Sequence, residues 1–168
     1  MNAVVKYTLA AFLYVFLQLY VLNHLMIFHT ATPFAFLLFL LMLPVDTPKP
    51  VMYLLAFGMG LIIDIFSDSY ATGLHTFSTL MAIAARARVL QLLGASGARG
   101  IDEFSFANQS LIWYIAYILP LIFIHNLAYF FLETFTFEHF FYTFFKVLAN
   151  TAYTFLVCYL LCIIFYRK

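Results

Sequence analysis

The chain has 168 residues, of which 66% are hydrophobic, 21% aromatic and only 9% charged, and its formal net charge is +1. A soluble domain carries roughly 25% charged residues, so this composition excludes a chain that covers its own surface in water. What remains is an all-α integral membrane protein, with phenylalanine, 22 in number, spread over the whole length rather than gathered in one core.

A helix needs about 20 apolar residues to cross the hydrocarbon, within a range of about 17 to 25. Six segments meet that need or approach it. The first covers 4–22, and because no small-residue cleavage site follows it, a retained span is expected rather than a removed signal peptide. The second covers 25–43, where His29, Thr30, Thr32 and Pro33 shorten the apolar part. It counts as a span, or as a tucked half-span in a five-span alternative. The third, 51–66, starts after Pro50 and ends at Ser67-Asp68-Ser69, and the fourth runs from Gly73 to about residue 93. The fifth is 111–132 and the sixth about 140–166. The loops between them are short, so residues 1–168 form a single transmembrane domain.

Lysine and arginine favour the cytoplasmic side of a membrane. With six spans and an inner N-terminus, the inner segments hold Lys6, Lys49, Arg86, Arg88, Arg99, Arg167 and Lys168. Only Lys146 falls elsewhere. The outer segments hold His24, His29, Asp68, Glu133, Glu138 and His139. This split supports six spans with both termini cytoplasmic, and losing one span would reverse every later loop. The stretch "ARARVLQLL" (85–93) is expected to lie partly along the inner interface, with its arginines on anionic headgroups.

Few residues suggest chemistry. "GASGARG" (94–100) lacks the Lys-Ser/Thr of a phosphate loop and reads as a linker. Cys158 and Cys162, one helical turn apart, read as reduced packing residues. His24, His29, His139, Glu133 and Glu138 lie on one side but lack the short ligand spacing of a zinc site. "FFLETFTFEHFFYTFF" (130–145) reads as an aromatic belt at the outer headgroups, with a docking surface for a partner as the sharper alternative. No nucleophile, base or carboxylate pair marks an enzyme, and no cofactor, metal or nucleic-acid partner is expected.

Asp64, set in "GMGLIIDIFSDS" (58–69), is the exception. A carboxylate inside a transmembrane helix costs about 2.5–3.5 kcal/mol on insertion scales, so it should turn inward and be paired. Gly58 and Gly60 before it should let a neighbouring helix approach closely. At a rise of about 1.5 Å per residue, Asp64, Gln18 and His125 each stand about 20 Å above the inner end of their span, with Asn126 one step further out. A hydrogen-bonded layer joining spans one, three and five is therefore expected, with His125 or Gln18 as the partner of Asp64. A packing node is preferred to a ligand or proton site.

The pattern "LPVDTPKPVMYLLAFGMGLIIDIFSDSYATGLHTFSTLMAIAARARVLQLL" resembles MreD, the rod shape-determining membrane protein family of bacterial cell-wall elongation. The resemblance rests on Leu43-Pro44, Gly60-Leu61, Asp64, the turn at Asp68, Gly73-Leu74 and a helix running into basic residues, and its specific part is 44–90. It implies a non-enzymatic component of the bacterial inner membrane. Its partners would be MreC, the MreB cytoskeleton and the glycosyltransferase and transpeptidase that elongate peptidoglycan, together with membrane lipids. Phe140, Phe141 and Phe144 are candidates for the partner surface. The family's fold is similar to the substrate-binding subunits of energy-coupling-factor transporters, so a small-molecule uptake subunit is the alternative.

Overall fold

A computed structural model of the chain describes residues 3–27, 31–67, 72–94, 110–136 and 139–165. His29, Asp68, Glu138, Arg99, Arg167, Lys168 and the stretch 95–100 lie outside them, so the readings placed there have no structural counterpart. The described part is helical: α1 (Ala3–Tyr20), a 3-10 turn (Leu22–His24), α2 (Phe36–Leu41), α3 (Lys49–Phe66), α4 (Leu74–Leu92), α5 (Leu111–Thr134) and α6 (Phe140–Phe165). Four helical stretches are long and apolar enough to cross a membrane: Tyr7–His24, Lys49–Phe66, Leu111–Thr134 and Phe140–Ile164. α4 has sufficient length but less apolar character, because its inward side carries His75, Thr76, Ser78, Thr79 and Arg86, all buried.

The second predicted span is not a continuous helix. Pro33 has no N–H and disfavours helical backbone at the residue before it, so the chain stays irregular until Ala35. Only six residues then coil, and every one of them is buried. The long helices surround this short element. α1 packs on α3, α3 on α4, α4 on α5 and α5 on α6, while α2 touches α1, α3 and α4. From Phe34 to Leu43 each residue is less than a tenth exposed, so the shortest helix forms the centre of the core. The outward faces carry the apolar residues, such as Phe12 and Phe16 on α1, Leu54 and Ile65 on α3, and Leu156 and Leu160 on α6.

α3 and α4 cross closely at one glycine. A Cβ on Gly60 would stand 2.6 Å from the Cα of Thr76, closer than real side chains come. Gly58 does not share this role, since a Cβ there would meet nothing within 4 Å. Two helical steps rotate a residue to nearly the opposite face, so only one of the two expected glycines sits at the crossing.

Gly60→Ala should therefore push the α3–α4 backbones apart and cost about 1–3 kcal/mol, the usual range for overpacking. Gly58→Ala should be neutral, or stabilise by about 0.5–1 kcal/mol through the helix preference of alanine. Unfolding of the two variants in detergent, followed by circular dichroism, checks the contrast.

Candidate functional site

Asp64 sits near the end of α3, 2% exposed, and its carboxylate meets the start of α4. The N–H of His75 donates to Oδ1 at 2.9 Å, the N–H of Thr76 to Oδ2 at 2.9 Å, and the Thr76 hydroxyl to Oδ2 at 2.6 Å. The reason lies in the preceding turn. α4 begins after Gly73, held at φ +102°, and glycine has no side chain with which to cap the free N–H groups of the first turn. Asp64 supplies that cap from the neighbouring helix. The helix dipole places partial positive charge at the same point, which suits a carboxylate.

The expected partner of Asp64 is thus replaced. Neither His125 nor Gln18 bonds it; its bonds go to two amides and a hydroxyl at the start of α4. The inward orientation of all four layer residues holds: Gln18, His125 and Asn126 are fully buried, as Asp64 nearly is. They do not form one layer: Asp64 and Gln18 each stand in their own set, while His125 Nδ1 meets Asn126 Oδ1 at 3.4 Å. Gln18 Nε2 donates to the carbonyl of Pro33 at 2.9 Å and to Asn23 Oδ1 at 2.8 Å, while Gln18 Oε1 accepts from the N–H of Phe36 at 3.3 Å. His125 Nε2 stands 3.3 Å from the Ser78 hydroxyl, which itself donates to the carbonyl of Leu74. Asn126 donates to Thr151 Oγ1 at 3.0 Å and accepts from Asn150 Nδ2 at 3.1 Å, joining α5 to α6.

Two of these sets, that of Gln18 and that of Asn126 through Asn150, reach the irregular segment before α2. Asn150 Oδ1 accepts from the N–H of Thr32 at 2.9 Å and Thr154 Oγ1 from the N–H of Phe34 at 3.2 Å, both from α6. At the other end Arg86 is 2% exposed, not at the interface as its sequence position suggested. Its guanidinium donates to the carbonyl of Leu43, to that of Leu41 at 3.5 Å and to Met52 Sδ at 3.2 Å, and its Nε donates to Tyr117 Oη at 2.7 Å. Tyr117 in turn donates to the Leu41 carbonyl at 2.7 Å. A cation at the carbonyl end of a helix complements the dipole, as the carboxylate does at the amide end of α4. Arg88, by contrast, is exposed.

Sequence reading missed Arg86, Tyr117, Asn150 and Thr154 as members of the site. A buried-face spacing signal existed: Asn150 and Thr154 lie four apart, hence on one side of α6. Elsewhere, Phe140 stacks on Phe144 at 6.0 Å and packs on Phe131 at 5.5 Å, while Phe141 is 86% exposed. Lys146, the exception to the charge split, pairs with Glu133 at 3.2 Å and lies over the Phe130 ring. Cys158 is buried and Cys162 half-buried, and neither is in a disulfide. Among the described residues no three His, Cys, Asp or Glu side chains gather as metal ligands. No family model, curated protein or solved structure matches this chain.

Two substitutions separate the cap from mere burial. Asp64→Leu leaves the N–H groups of His75 and Thr76 buried without a partner, each at about 1–3 kcal/mol, and should abolish stable accumulation. Asp64→Asn keeps one acceptor oxygen and should lose roughly half as much. Arg86→Met, which strands the Leu43 carbonyl and leaves that of Leu41 to Tyr117 alone, should destabilise less than Asp64→Leu. Yield and thermal unfolding of the purified variants check the order.

Proposed function

We propose that this chain is a non-enzymatic membrane component of a bacterial rod-shape complex, resembling MreD, and that it holds partner proteins rather than transforming a substrate. The observation that carries the reading is the structural role of the residues on which the resemblance rests. Gly60 permits the α3–α4 crossing, Asp64 caps α4, Gly73 turns the chain into it, and Arg86 closes α2. All four knit neighbouring elements together, and their polar groups are consumed in doing so. A scaffold needs such internal locking, because its function is to present a fixed outer surface.

In this reading the chain crosses the inner membrane six times. Four crossings are the apolar helices, α4 is the fifth, and the segment 31–43 with α2 is the sixth. Lys146 stays the one basic residue off the inner side, and Glu133 supplies its counter-charge. Both termini are then cytoplasmic, with exposed Lys49 and Arg88 on the same side. The partner surface is the outer rim of α6, where Phe141 and Phe145 point outward. Phe140 and Phe144 support that rim through their stack. The uptake alternative would use the start of α2 as a ligand site, but the Phe34 and Phe36 amides there bond Thr154 and Gln18.

Reporter fusions after Gly94 should read cytoplasmic and fusions after Thr136 extracytoplasmic; the same side for both would contradict the topology. MreC from the same organism should copurify with the tagged chain. Phe141→Ala with Phe145→Ala should reduce the recovered MreC several-fold at unchanged membrane level. Full recovery would place the surface elsewhere, and no MreC with the parent chain would contradict the family reading.

A further inference from the structure

On the outward side of α4 and α5 lies a groove of about 600 Å³, outside the polar network. Phe77 and Met81 of α4 form one wall, Ala128 and Phe131 of α5 the other, and Phe135 and Thr136 stand at its end. Thr136 is the one polar residue of the lining. From Ile124, its deepest member on α5, to Phe135 the groove runs about 16 Å by the helix rise. That is close to one leaflet, half of the roughly 30 Å hydrocarbon core.

The groove's end carries an independent anomaly. Phe135 is the one non-glycine with positive φ among the described residues, at 46°, and it is 87% exposed. Left-handed backbone costs a residue with a Cβ about 1–2 kcal/mol, so glycine or asparagine usually closes a helix this way. Nothing among the described residues buries the Phe135 ring in return. A strained, exposed aromatic at the lip of an apolar groove marks a contact made with something outside the chain.

We infer that this groove binds one acyl chain of a phospholipid, in the leaflet that holds the C-terminal end of α5, with Phe135 folded against the chain near the headgroup. The inference rests on the membrane reading alone and not on the identity of the protein partners. The one-leaflet length suits a single aliphatic chain, and the apolar surface of the lining is far smaller than the roughly 800 Å² per partner of a stable protein interface.

The test uses the full chain in nanodiscs of phosphatidylcholine, doped with phosphatidylcholine bearing a photoactivatable diazirine in one acyl chain. After illumination, peptide mapping should find adducts several-fold enriched around Phe77, Met81 and Phe131, compared with the equally lipid-facing Phe12, Phe16, Leu156 and Leu160. Ala128→Phe or Met81→Trp, each filling the groove, should remove the enrichment while elution and helicity stay unchanged. If neither variant folds, the distribution in the parent chain decides. Adducts spread evenly over the exposed faces would overturn the inference, as would enrichment that survives both fillings. Cross-linking of Met81→Cys between two copies under mild oxidation would assign the groove to a helix and overturn it too. A chain that stays out of the nanodisc would refute the membrane reading, a failure distinct from even labelling.

Discussion

A buried stretch of backbone without helical or strand pairing must find hydrogen-bond partners elsewhere, and in this fold that requirement falls on residues 32–36 and on the carbonyls at the end of α2, 41–43. Each unpaired amide or carbonyl in an apolar interior costs several kcal/mol, and a hydrocarbon environment supplies no water to relieve it. Irregular backbone at such depth is tolerated only where protein encloses it. Here four helices contribute side chains to it: Gln18 from α1, Arg86 from α4, Tyr117 from α5, and Asn150 and Thr154 from α6. Gln18, Arg86, Asn150 and Thr154, four of the buried polar residues of this apolar chain, are thus explained by one segment.

The two buried charges obey the same logic at helix ends. Asp64 and Arg86 do not pair with one another. Each is satisfied by the terminus of a neighbouring helix, the anion at free amides and the cation at free carbonyls. Such pairing spreads each charge over backbone dipoles and leaves no bare ion in the interior. It also fixes relative positions: α3 cannot slide along α4 without uncapping it, and α2 cannot move without exposing Arg86. Rigidity of this kind suits the scaffold role proposed for the chain.

The positions of the long helices were legible in the sequence because length and apolar content decide them. The observed ends of α1, α3, α4, α5 and α6 fall within three residues of the predicted spans. Asp64 was legible as an inward, paired group, since a lone carboxylate in that setting has few alternatives. Its partner was not, because depth along a helix says nothing about rotation, and because backbone amides carry no signature in the sequence. The same blindness hid Arg86. An arginine near the end of a hydrophobic run reads as a topological marker, and only the arrival of the α2 carbonyls turns it inward. Gly58 and Gly60 are equal in sequence and unequal in space for the same rotational reason.

The central claim is that side chains hold the irregular segment as firmly as a helix holds itself, and amide hydrogen exchange measures this directly. In the solubilised chain the amides of Thr32, Phe34 and Phe36 should exchange as slowly as those in the middle of α5, although Thr32 and Phe34 belong to no helix. Thr154→Val should speed exchange at Phe34 while leaving α5 unchanged. Fast exchange at all three positions in the parent chain would contradict the account.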